Sequence, residues 1–118
     1  MFTTLRSSSL HQTPNAVMKR YPGTEVAVWR TEMASGASGP EHVIDVYQFV
    51  VVLEGRLHAT VDGETCTLAP GDAVTLHPGA TRRLANPHEV PVVCLTAALP
   101  GARARVGDGD QVPVPWGA

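Results

Sequence analysis

The sequence predicts an all-β fold, a single antiparallel sandwich or barrel, and three observations predict it. Eleven Gly and ten Pro in 118 residues exceed the combined usage of roughly 12% in an average protein, which marks a turn-dense chain. Short apolar stretches alternate with turn signals every eight to ten residues, the rhythm of short strands joined by tight connections. No window sustains apolar residues at i, i+3, i+4 and i+7 over three turns, so no helical bundle is expected. The length allows one domain, and 43% hydrophobic residues with a net charge of -2 argue against a disordered chain.

Residues 1–14 (MFTTLRSSSLHQTP) are Ser/Thr-rich and aperiodic and are expected to form a flexible lead-in, with His11 a solvated histidine. Strands are then expected at 16–21, before the turn Pro22-Gly23, and at 25–33, before the breaker SGASGP. The run 42–55 contains VYQFVVVL, four Val with Tyr47 and Phe49 in eight positions, the β-branched and aromatic enrichment of a strand. The runs 56–61 and 64–70 flank Asp62-Gly63, the best short hairpin signal in the chain. Further strands at 73–77, 81–85 and 90–98 are separated by Pro70-Gly71-Asp72, Pro78-Gly79 and Asn86-Pro87. Residues 15–99 thus make up the barrel. Residues 100–118 form a Gly/Pro-rich tail, expected to pack on the barrel wall through Val112, Val114 and Trp116.

Nine Lys and Arg stand against eleven Asp and Glu, and the densest basic groups are the pairs Lys19-Arg20 and Arg82-Arg83. Such a chain offers no basic field for nucleic acid. Cys66 and Cys94 are too few for a disulfide framework and form no C-x-x-C motif, so two reduced, mostly buried thiols are expected. The longest apolar run, residues 49–53, falls far short of the roughly 20 residues that span a bilayer. The N-terminus carries no apolar signal region. A cytoplasmic protein without a membrane partner is the expectation.

The stretches 36–55 and 71–86 resemble the two signature motifs of the cupin superfamily. Gly36 is followed after five residues by His42, and Gln48 after six by Gly55; in the second motif Gly71 opens, Gly79 takes the P-x-G glycine and Asn86 closes. VVVLEGRL and LAPGDAVTLHPGA match common cupin wording, and the likeness runs over about residues 24–98. The resemblance implies a single antiparallel jelly-roll (cupin) barrel with short extended N- and C-terminal segments. It leaves the activity open, because one scaffold hosts dioxygenases, isomerases, epimerases, decarboxylases, cyclases, sensors and storage proteins.

In that family two His and a Glu of the first motif and a His of the second converge on a divalent metal. Here His42 is kept, the second His is Ile44, the Glu is Gln48 and the last His is Arg82. A transition metal wants three or four imidazole, carboxylate or thiolate ligands, and an arginine beside it repels a dication. No cofactor is therefore expected. A rearranged divalent metal site would have to draw on His42, Gln48, His58 and His77.

Alternation of strand side chains puts Ile44 and Gln48 on the same side as an inward His42, with Val50 and Val52 on the floor. Arg82 is expected to enter the same cavity, and His58 to line it or point away. Apolar walls with a few convergent polar groups suit a small molecule. His42 can act as general base or acid or be a hydrogen-bonding relic. Gln48 can orient a carbonyl or hydroxyl, and Arg82 can hold a carboxylate, phosphate or developing enolate or be a rim cation paired with an acid.

Three functions stay open. One is a metal-independent isomerase, epimerase, cyclase or dehydratase acting on an anionic or carbonyl-bearing metabolite, with His42 and Arg82 catalytic and Gln48, Ile44, Val50, Val52 and His58 binding substrate. The second is a non-catalytic ligand-binding sensor or carrier. The third is a metal-dependent enzyme with the rearranged His site. A homodimer is expected, because FVVVL is apolar on both faces and would leave an apolar patch.

Overall fold

The computed structural model describes residues 9–21 and 25–117. The strands run in chain order as β1 (Ser9–Thr13), β2 (Ala16–Tyr21), β3 (Ala27–Met33), β4 (His42–Ile44), β5 (Gln48–Glu54), β6 (Leu57–Val61), β7 (Glu64–Leu68), β8 (Ala73–Leu76), β9 (Thr81–Ala85), β10 (Val92–Ala98), β11 (Arg103–Arg105) and β12 (Val112–Pro113), followed by a 3₁₀ turn at Pro115–Gly117. They form two six-stranded sheets, β1-β2-β3-β10-β5-β8 and β12-β11-β4-β9-β6-β7. All strand pairs are antiparallel. The fold is the all-β antiparallel jelly roll that the sequence predicts. No helix among the described residues is long and apolar enough to cross a membrane.

The pleat of β5 sorts its side chains. Gln48, Val50 and Val52 are buried, whereas Phe49 and Leu53 are 42% and 46% exposed on the other face. Val50 and Val52 meet Leu57, Leu76, Val92 and Cys94 in the main core. A second cluster gathers Met18, Trp29 and Ala98, and a third Ile44, Ala102 and Val114.

Turn chemistry sets the register. Asp62 (φ 47°) and Gly63 (φ 82°) both adopt the left-handed region, the requirement of the two-residue turn that joins β6 to β7. Asp62 Oδ1 also accepts from the backbone N–H of Thr81 at 2.9 Å, tying this hairpin to β9. Gly55 has φ +74°, and a Cβ there would lie 2.4 Å from the Pro91 carbonyl oxygen. Only glycine fits this corner. Asn86 is fully buried. Its Nδ2 donates to the carbonyls of Met33, Ala34 and Val90, and its Oδ1 accepts from the N–H of His88. One side chain thus fastens the end of β9 to the end of β3.

Several expectations change. The lead-in expected through residue 14 contains β1, which pairs with β2 along its length; residues 1–8 and the expected turn Pro22-Gly23 lie outside the described residues. His11 is half-buried and packs edge-on against Trp116, with ring centroids 6.0 Å apart. In the tail, Val114 is buried and Trp116 packs on two core clusters, whereas Val112 is 55% exposed and is held by strand pairing with Ala104 rather than by side-chain burial. Cys94 is buried while Cys66 is exposed. The expectation of two mostly buried thiols fails at Cys66 because β7 is an edge strand whose residues lie almost wholly in solvent.

Candidate functional site

A cavity of about 660 Å³ opens between the two sheets. β3 and β10 supply one wall with Trp29, Thr31, Cys94 and Thr96, and β4 and β5 supply His42, Ile44, Gln48 and Val50. Its exposed lining residues come from the segments 13–15 and 112–115, towards opposite ends of the described chain, and from Ser38, Pro40 and Val106.

His42 opens β4 and is half-buried. Its Nδ1 lies 2.9 Å from the carbonyl oxygen of Pro40. A carbonyl only accepts, so Nδ1 carries the proton and the neutral ring keeps its lone pair on Nε2. Burial lowers the pKa of His42; the bond to Pro40 opposes this in part, and the charge of Arg82 adds to the lowering. His42 is therefore a neutral imidazole at pH 7, poised to accept a proton.

Arg82 sits opposite His42 in the β4–β9 pair, yet it is only 1% exposed and is not among the residues lining the cavity. Its guanidinium is spent on neutral oxygens. Nη1 donates to Gln48 Oε1 at 3.0 Å, Nη2 to the carbonyls of His77 (2.8 Å) and Ala80 (3.1 Å), and Nε to Ala80 at 3.3 Å. Burial lowers its pKa, countered by the charge of Asp62. Arginine has no acceptor, so the Gln48 atom facing it must be the oxygen. The amide nitrogen of Gln48 is then the group left for the cavity.

The structure therefore brings His42, Ile44, Gln48 and Val50 together around the cavity and sets the other expected site residues apart. Val52 is inward but packed in the core beneath. His58 lies between Leu57 and Ala59, both fully buried, so alternation turns its side chain outward. His77 is exposed and meets the ring of Tyr47 edge-on at 5.0 Å. Arg82 does not enter the cavity, because its donors are held by the loop carbonyls and by Gln48.

The same placements decide how the site fits a divalent metal. His58 and His77 point elsewhere, the Gln48 carbonyl oxygen is taken by a guanidinium, and no group of three His, Cys, Asp or Glu residues converges among the described residues. One imidazole beside a buried cation does not fit a dication.

The β3 and β10 wall was not foreseen from sequence. Thr96 and Cys94 are 6% and 4% exposed and stand two residues apart on one strand face. A threonine in phase with buried apolar neighbours was the available signal. Burial pushes the Cys94 thiol up to about 11, so it stays protonated.

An antiparallel jelly roll of two sheets thus encloses a largely apolar cavity with a few inward polar groups. Residues 29–98 match the Cupin_2 family, the cupin domain, and the chain belongs to this family. Among solved structures it is similar to a sugar phosphate isomerase of the cupin superfamily from Silicibacter pomeroyi, with 19% identity, a TM-score of 0.72, and coverage of 91% of this chain and 80% of that one. It is also similar to the Cupin_2 domain of an XRE family transcriptional regulator from Enterobacter cloacae, with 26% identity, a TM-score of 0.63, and coverage of 71% and 95%. A Cupin 2 conserved barrel domain protein from Salinispora arenicola aligns with 22% identity, a TM-score of 0.71, and coverage of 83% and 89%. No curated protein matches the sequence.

Proposed function

We propose that this cupin is a metal-independent proton-transfer enzyme, of the isomerase, cyclase or dehydratase type, acting on a carbonyl-bearing small molecule in the barrel. The observation that carries this reading is the Nδ1–Pro40 bond of His42, which leaves Nε2 as a neutral base at the cavity wall. Nε2 takes a proton from the carbon next to the carbonyl. The electron pair moves onto the carbonyl oxygen, and the enolate so formed accepts a hydrogen bond from the Gln48 amide, an oxyanion-stabilising role. In a β,γ-unsaturated substrate, return of the proton from the imidazolium to the γ-carbon shifts the double bond and isomerises it; in a β-hydroxy substrate the imidazolium gives that proton to the departing hydroxyl, which leaves as water.

The test is hydrogen–deuterium exchange next to the carbonyl of simple cyclic aryl ketones such as 2-tetralone, followed by NMR in deuterated buffer. The protein should accelerate exchange, and His42→Ala should return it to the buffer rate with an unchanged circular dichroism spectrum. Equal acceleration by His42→Ala would sink the reading. Ketone binding without exchange would favour the second reading, a non-catalytic ligand-binding barrel, which the likeness to a transcriptional regulator's cupin domain supports.

The same reading includes a cytoplasmic homodimer. Phe49, Val51 and Leu53 on the outer face of β5 adjoin Leu95 and Ala97 of β10, an apolar surface that a second copy would cover. Sedimentation velocity should give a dimer for the wild type and a monomer for Phe49→Asp; a monomeric wild type removes this part.

A further inference from the structure

The residues around the cavity include no Asp, Glu, Lys or Arg among those described. Arg82, paired across from His42, is 1% exposed and gives its bonds to Gln48 Oε1 and to the His77 and Ala80 carbonyls. An anion entering the cavity would lose its water and find no charged side chain on the lining to pair with directly, a transfer that costs far more than that of a neutral polar group. The walls instead offer Trp29, Trp116, Met18 and Met33, polarisable apolar surface suited to a ring system. Against that surface stand one fixed acceptor, Nε2 of His42, and one fixed donor, the amide nitrogen of Gln48, while the hydroxyls of Thr31 and Thr96 on the facing wall rotate to either role.

We infer that the cavity selects uncharged, largely apolar carbonyl compounds, and that Arg82 sets this selectivity without touching the ligand, by holding Gln48 with its amide nitrogen toward the cavity. The substrate carbonyl lies against Gln48 and the acidic C–H or O–H against His42. Arg82 is a positioning residue. Without it the amide is free to turn its oxygen inward, and the cavity then presents two acceptors. The inference rests on the proposed reading of the cavity as the ligand site, and it sharpens the ligand class by removing anions from it.

Four naphthalenes of one shape separate the cases in NMR titrations at pH 7.5 with a chelator present: 2-acetylnaphthalene, 2-naphthoate, 2-ethylnaphthalene and 2-naphthol. The ketone should bind about tenfold or more tighter than the carboxylate and about fivefold tighter than the ethyl compound, which cannot accept a hydrogen bond. Gln48→Glu keeps an oxygen for Arg82 but replaces the donor by an acceptor. Its ketone affinity should fall to that of the ethyl compound while 2-naphthol is retained or gains. Arg82→Met should bring the ketone-to-naphthol preference toward unity, a ratio that a uniformly loosened fold would not change; if this variant does not fold, Gln48→Glu carries the test.

Naphthoate binding as tight as the ketone overturns the inference, as does full ketone affinity in Gln48→Glu or no binding of any of the four. Ketone binding without proton exchange overturns the catalytic reading and leaves this one standing. Naphthoate preference together with His42-dependent exchange does the reverse.

Discussion

Arg82 Nη1 donates to Gln48 Oε1 at 3.0 Å, and both side chains are buried. The two residues stand where the family's metal motifs carry a histidine and a glutamate. Their bond links the two sheets, since Arg82 belongs to β9 and Gln48 to β5. It also fixes the orientation of the Gln48 amide.

Removing the guanidinium takes a donor from several acceptors at once. Arg82→Leu leaves the buried Gln48 Oε1 without its donor and takes the guanidinium from the part-buried carbonyls of Ala80 and of His77, the latter keeping the Ala80 N–H, and an unsatisfied buried acceptor costs about 1–3 kcal/mol. A loss at the upper end of that range is expected in urea unfolding. In the double variant with Gln48→Leu the loss should be smaller than the sum of the singles, because the two residues share one bond.

The titration of His42 gives a pH dependence of known sign. Its folded pKa is lowered by burial while the unfolded chain titrates near 6.5, so between those values the unfolded state binds more protons. Stability is complete above pH 6.5 and falls as the pH drops from there toward the folded pKa. Proton-exchange activity should be flat above pH 6.5 and lost on an acidic limb below it, where Nε2 becomes protonated. Thermal melts from pH 5 to 8 should slope down toward acid, less steeply in His42→Phe; a melting point that rises toward acid equally in both proteins contradicts the assignment.

Two corners of the barrel should be intolerant of change. Gly55→Ala places a Cβ within 2.4 Å of the Pro91 carbonyl oxygen at φ +74°, and left-handed backbone alone costs roughly 1–2 kcal/mol for an alanine. Asn86→Ala removes three donated bonds and one accepted bond at a fully buried position. Each variant should lose about 2–4 kcal/mol in chemical denaturation. Gly63→Ala, with open space around its Cβ, should lose less than Gly55→Ala.

The thiols should react unequally. Exposed Cys66 should be modified by a disulfide reagent in the native protein at pH 7.5, and Cys94, buried with its pKa pushed up to about 11, only after unfolding. One fast thiol per chain and a second in denaturant is the expected count; two fast thiols would show that the cavity wall is open to reagent.

Strand identity was legible because it is local. Valine-rich 50–52 and the Asp62-Gly63 turn declare themselves within a few residues, and the glycine spacings gave away the jelly roll. His42, Ile44, Gln48 and Val50 were placed on one side by alternation and by resemblance, and they do line the cavity. What escaped was what depends on third parties. The inward direction of Arg82 was legible, but the carbonyls of His77 and Ala80 that hold it back from the cavity are backbone groups with no sequence signature. Thr96 and Cys94 escaped because β10 lies between β3 and β5, a long-range neighbourhood that no local pattern encodes. The strand at Ser9–Thr13 escaped because it leans on β2 rather than on its own composition.

The rim of the cavity separates two tasks. The polar groups of the proposed site are carried by inner strands, whereas the exposed lining residues lie at 13–15 and 112–115, whose segments meet through the His11 and Trp116 rings, and at Ser38, Pro40 and Val106. The doorway can therefore change in width or polarity while the barrel's register stays intact. Exchanging the two terminal segments between related barrels, with β4, β5 and β9 kept, should alter what the cavity admits while leaving His42, Gln48 and Arg82 in place.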